Sequence, residues 1–183
     1  MPIAVQWENA VATVRREYAA LPASIRARLA ELTAAIRFRK AAMAALTTGG
    51  ESVCRACGGA CCAHGRNHFT VVDLLAFLDA GTGLFTPVFD ASICPYLSAQ
   101  GCMMAPGFRP FNCIIFLCEE IDSSLPTSIR ERLWAAEQEL RRLYAELEQI
   151  FHNRFAHGLL ITYERAHATG SGTLLNLTPH GVR

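Results

Sequence analysis

Apolar residues recur at helical spacing through most of the chain. From Pro22, the run "PASIRARLAELTAAIRFRKAAMAAL" sets Ile25, Leu29, Leu32, Ile36, Arg39, Met43 and Leu46 at alternating steps of four and three, the stripe of a helix with a heptad-like seam. Gly49 and Gly50 follow, and glycine is the residue that most readily takes the left-handed turn ending a helix. From about Pro126 to Ala156 the pattern repeats in Ile129, Leu133, Ala136, Leu140, Leu143, Leu147 and Ile150, with Gly158 as the stop. At 1.5 Å per residue each helix would run about 35 to 45 Å. Residues 3–20 predict a further helix with Ile3, Trp7, Ala10, Val14 and Tyr18 on one side. Between Gly65 and Gly81, "TVVDLLAFLDA" predicts a short helix with Thr70 as N-cap and Asp73 in the capping-box position. Residues 82–112, rich in Gly, Pro and Ser, read as loops. The tail "LLITYERAHATGSGTLLNLT" predicts a hairpin of two short strands around "ATGSG".

These elements describe one mainly α domain over residues 1–183, with N-terminal helices over 1–48, a central core over 54–118, a long helix over 126–157 and a tail over 158–183. Charge refines the picture. Residues 1–53 carry seven Arg or Lys against four Glu, and residues 119–183 carry seven against nine acidic residues. The first long helix is therefore basic and the second acidic, which favours their pairing as an antiparallel helical hairpin; Glu137 and Arg141, four apart, add local support. The seams also offer a surface for a protein partner or a homodimer. A net charge of +1 provides no basic field for nucleic acid. The N-terminus "MPIAVQWENAVATVRREY" has no basic region leading into an apolar one, and stretches such as "CIIFLC" are too short to span a bilayer. The expectation is a cytoplasmic protein with no membrane partner.

In a reducing compartment, clustered cysteines more often bind metal than form disulfides. All eight cysteines of the chain fall between Cys54 and Cys118, and four lie within the nine residues of "CRACGGACC". Cys54 and Cys57 have the C-x2-C spacing at which one tight turn presents two sulfurs to one ion. Cys61 and Cys62 follow; adjacent side chains diverge, so one would serve the first centre and its neighbour a second centre or the core. Cys94, Cys102, Cys113 and Cys118 are spaced irregularly along "CPYLSAQGCMMAPGFRPFNCIIFLC". Eight sulfurs suffice for two four-thiolate sites, or for one site with some cysteines left structural. A zinc ribbon would show a second C-x2-C; the irregular spacing points first to an iron-sulfur cluster or iron, with Zn2+ as the alternative.

The order C-x2-C-x3-C-C, a capped helix bearing Asp73, C-P-Y-L, G-C, R-P-x2-C and x4-C resembles the YkgJ-type CxxCxxCC cysteine-cluster family, described as zinc- or iron-chelating and often as iron-sulfur proteins. The resemblance covers residues 54–118, and Ile114 stands where that family frequently has Arg. It implies metal chelation by Cys54, Cys57, Cys61, Cys62, Cys94, Cys102, Cys113 and Cys118, and no particular reaction. Arg109 is the candidate to offset thiolate charge from the second rank of contacts. His64 is the best-placed additional ligand, ahead of His68, though eight cysteines already suffice. Met103 and Met104 read as packing residues. No nucleophile, base and orienting group line up, and no organic-cofactor motif is present. The functional expectation is a metal-binding module with a structural, sensing or partner-presenting role, the alternative being a redox, electron-transfer or metal-dependent modifying protein.

Overall fold

The computed structural model describes residues 1–47, 65–89, 94–152, 154–155 and 157–177. Helix α1 is Ile3–Ala19, α2 is Ala23–Leu46, α3 is Val71–Asp79, α4 is Phe111–Ile115, α5 is Glu119–Ser124, α6 is Thr127–Phe151 and α7 is Leu159–Ala168. Strands β1, Leu97–Ser98, and β2, Gly101–Cys102, form a minimal antiparallel hairpin, and single 3-10 turns lie at Gly65–Asn67 and Pro106–Phe108. The chain is mainly helical, as its periodicity predicts. Among the described residues no helix is long and apolar enough to cross a membrane.

Helices α2 and α6 pack antiparallel. Arg28 pairs with Glu146 and Arg39 with Glu139, both at 2.5 Å, so one helix ascends as the other descends. The seams lie between them: Leu29, Leu32, Ile36 and Met43 are buried on α2, and Leu133, Leu140, Leu143 and Leu147 on α6. Arg141 holds Glu137 through two hydrogen bonds of 2.8 and 2.6 Å, the local pair that the spacing implies. The α2 seam departs from the reading at one turn. Lys40 is wholly buried, while Arg39, assigned to the stripe, is half-exposed. The reason is α3, which lies against α2 on this side and offers Lys40 a carboxylate.

Helix α3 is the centre of the molecule, with Val71 through Phe77 all buried. An element enclosed on every side cannot leave its first N–H groups to water, and the capping box meets that need. Thr70 Oγ1 accepts from Asp73 N, and Asp73 Oδ2 accepts from Thr70 N at 2.8 Å. On one side α1 contributes Trp7, Ala10, Val11 and Val14; on another, α2 and α6 close the core. Helix α1 is fastened by Gln6 to Glu164 of α7 at 2.8 Å and by Tyr18 to Asp79 at 2.6 Å.

Two boundaries need correction. The long helix ends at Phe151, where His152 takes the left-handed conformation (φ 45°), and does not run on to residue 157. Glu148 then accepts from Phe155 N at 3.0 Å, and the Phe155 ring folds back on Phe151. The tail is no β-hairpin: its first half is α7. Leu159, Leu160, Tyr163 and Ala166 are buried at helical spacing, and that interface with the core outweighs the turn signal of "ATGSG". Gly170 (φ 70°) and Gly172 (φ 62°) follow the end of this helix instead of turning a hairpin. Beyond them, Glu17 of α1 accepts the backbone N–H groups of Leu174 and Leu175 at 2.9 and 2.7 Å.

Candidate metal centre

Four expected ligands, Cys54, Cys57, Cys61 and Cys62, together with His64, Gly49 and Gly50, lie outside the described residues. Of the other four cysteines, Cys94 precedes β1, Cys102 lies on β2, Cys113 on α4, and Cys118 is the N-cap residue of α5. Cys94 is buried, Cys102 and Cys113 are exposed and Cys118 is half-buried.

Cys94 is the most tightly built of them. Its neighbour Tyr96 anchors an aromatic cluster, with ring centroids 5.9 Å from Trp7, 5.9 Å from Phe69 and 5.4 Å from Phe85. The Tyr96 hydroxyl donates to Arg66 O at 3.1 Å, joining this segment to the turn at residues 65–67. The same turn approaches Cys94 so closely that a Cβ on Gly65 would collide with Cys94 Sγ; only glycine leaves room for the sulfur. Burial pushes the Cys94 thiol above its ordinary range. The backbone N–H of Tyr96, hydrogen-bonded to Cys94, acts in the opposite sense, and nearby Cys102 adds to the rise. Cys102 is on β2, its Cα paired with that of Leu97, so the hairpin returns the chain to within a few residues of Cys94. Met104 is buried in the core, the packing role anticipated for it.

Cys113 lies on α4, whose Phe111 ring stacks 5.1 Å from Tyr144 of α6. Adjacent side chains of this helix diverge by about 100°. Ile114 is buried and lines a groove of about 300 Å³ with apolar Met43, Leu133 and Trp134 and charged Asp122, Arg130 and Glu137, while Cys113 is exposed. On its exposed side Cys113 Sγ stands 3.4 Å from His68 Nδ1. The loop bearing His68 is firmly held: Phe69 O accepts from Leu159 N at 2.6 Å, and Gly158 lies so close to Asn67 O that it admits no side chain. Arg109 Nε donates to Met104 O at 3.3 Å, which ties down the connection between Cys102 and Cys113.

The periodicity missed one buried polar cluster. Lys40 Nζ lies 2.6 Å from Asp73 Oδ1, with both side chains fully enclosed. Tyr144 donates to the same carboxylate at 3.3 Å and offers its ring face to the ammonium at 5.6 Å. Burial first, and then the Asp73 charge, push the Tyr144 phenol well up, so it remains a neutral donor. The sequence did contain a signal: Thr33, Ile36, Lys40 and Met43 form their own three-four series beside the seam. Asp73 is therefore bound into the core and faces Lys40.

Among the described residues no group of three or more His, Cys, Asp or Glu side chains converges as a metal site. What the described part of the structure does bring together is Cys113 with His68, and the β1–β2 hairpin pairs Cys102 with Leu97, three residues from Cys94. No family model, no curated protein and no solved structure matches the chain.

Proposed function

We propose that the chain is a metal-binding cysteine-cluster protein, with an iron-sulfur cluster or iron preferred over Zn2+, and with a structural, sensing or partner-presenting role. The observation that carries this reading is the setting of Cys94. Its sulfur is buried, has a backbone N–H directed to it, and faces a glycine that gives up its side chain to make room. A backbone N–H donor lowers the charge density of a metal-bound thiolate without competing for the ion, and a glycine at close approach leaves the sulfur room.

Further sulfur lies close by in the sequence. "CRACGGACC" ends three residues before Gly65, and three residues of chain span at most about 11 Å. Cys54, Cys57, Cys61, Cys62, Cys94, Cys102, Cys113 and Cys118 are the residues that would hold the metal, and the resemblance to the YkgJ-type family supports that set. When bound, iron would supply redox or sensing chemistry and zinc a structural cross-link. Arg109, through Met104 O, would keep the loop between two ligands in register.

The test compares metal content and thermal stability of the unmodified protein and Cys94→Ser, both purified without oxygen. Cys94→Ser should hold less metal and melt earlier. Equal metal content in the two proteins would remove Cys94 from the ligand set and, with it, the observation on which the proposal stands.

A further inference from the structure

We propose that His68 is a metal ligand beside Cys113, so that the centre has a mixed nitrogen and sulfur shell; this rests on the metal-binding reading above. The argument is geometric. In a tetrahedral site with metal–sulfur and metal–nitrogen bonds of about 2.3 and 2.0–2.1 Å, the edge between the two donor atoms is about 3.6 Å. Cys113 Sγ and His68 Nδ1 are 3.4 Å apart, close to that edge. Two thiolates on the same ion would stand about 3.8 Å apart by the same arithmetic.

Both partners are held from behind. Helix α4 is fixed by Phe111 on Tyr144, with Arg141 over the Phe111 ring at 5.1 Å, and by buried Ile114. The His68 backbone is fixed by its own N–H to Gly65 O at 2.9 Å and by the junction of Phe69 with Leu159. Neither donor needs a rearrangement of the fold to meet a cation. The turn that sets His68 beside Cys113 also sets Gly65 against Cys94, so one short segment serves two ligand positions. A nitrogen donor would reduce the negative charge of an all-thiolate shell by one. In an iron-sulfur centre, histidine in place of thiolate raises the reduction potential.

The experiment is X-ray absorption on the full chain purified without oxygen, repeated after loading with Zn2+ alone, for the unmodified protein and for His68→Ala. The expected result is an imidazole nitrogen in the metal shell that is lost in His68→Ala, with metal affinity falling by about tenfold or more. An all-sulfur shell in the unmodified protein, or an imidazole signal that survives His68→Ala, would overturn the assignment of His68 while leaving metal binding intact. Protein that holds no metal under either condition would overturn both. His68→Gln provides a second variant, with far-ultraviolet circular dichroism as the check on folding. The ring nitrogens of His68 in the unmodified protein, followed by nuclear magnetic resonance during Zn2+ addition, provide a readout that requires no variant: a shift is expected, and its absence at full zinc loading would contradict the proposal.

Discussion

Taking away the Lys40 ammonium leaves the Asp73 carboxylate in the core with no cation, and breaking one side of such a buried pair costs about 3–5 kcal/mol. Lys40→Met should therefore lower stability by roughly that amount in denaturant unfolding. The double variant Lys40→Met, Asp73→Asn should recover much of the loss, because Asn is neutral and can still accept from Thr70 N. A Lys40→Met protein as stable as the parent would refute the buried-pair account. Tyr18 provides a test by pH. Burial, followed by the Asp79 carboxylate, pushes its phenol from the ordinary value of 10 to about 12. Its folded-state pKa is raised, so the stabilisation is complete below pH 10 and fades as pH climbs through 12. The gap in melting temperature between the parent and Tyr18→Phe should narrow across that interval, and a constant gap would contradict the assignment. Polar contacts of this kind are poorly legible in sequence. Lys40 and Arg39 are neighbours with equal charge, and only the position of α3 decides which is enclosed.

Two glycines separate the fold from the site at the scale of the element. A Cβ on Gly158 would meet the Asn67 backbone, which cannot rotate away; a Cβ on Gly65 would meet the Cys94 side chain. Gly158→Ala should chiefly reduce stability, and Gly65→Ala should chiefly reduce metal content by displacing one sulfur. Equal metal content in Gly65→Ala and parent protein would show that the close approach has no bearing on ligation. The capped helix α3 and the seams of α2 and α6 were legible because their signals are local: a Thr and an Asp three residues apart, and leucines at helical steps. The α7 segment departs from that reading because "ATGSG" is an equally local turn signal, and the packing that decides against a hairpin comes from distant α1 and the turn at Gly65–Asn67. The hairpin β1–β2, with two residues per strand, is too short to leave a period in the sequence.

Across the whole molecule, apolar burial and charge both favour the antiparallel pairing of α2 and α6, but with different weights. Leu140 is fully enclosed between them, and Leu140→Ala should cost about 2–5 kcal/mol through lost contact and the cavity left behind. The Arg39–Glu139 pair is more than one-third exposed on both sides and is worth about 0–1 kcal/mol. Chemical denaturation of Leu140→Ala and Arg39→Ala should rank them in that order, and the reverse order would mean that charge dominates the pairing. The seams are buried within the chain, so the large apolar side chains left exposed include Phe38, Phe116 and Trp134. The pairing was legible from opposite helix charges. The site was legible only as an order of cysteines, since the contact of His68 with Cys113 joins residues 45 positions apart.

The central claim is that this arrangement binds a metal, and the most direct measurement is elemental analysis with an absorption spectrum on protein purified without oxygen. The account predicts iron with sulfide and a broad band at roughly 400 nm. Colourless protein with stoichiometric zinc would keep the metal site and overturn the preference for iron. Folded, colourless protein without metal would contradict the account.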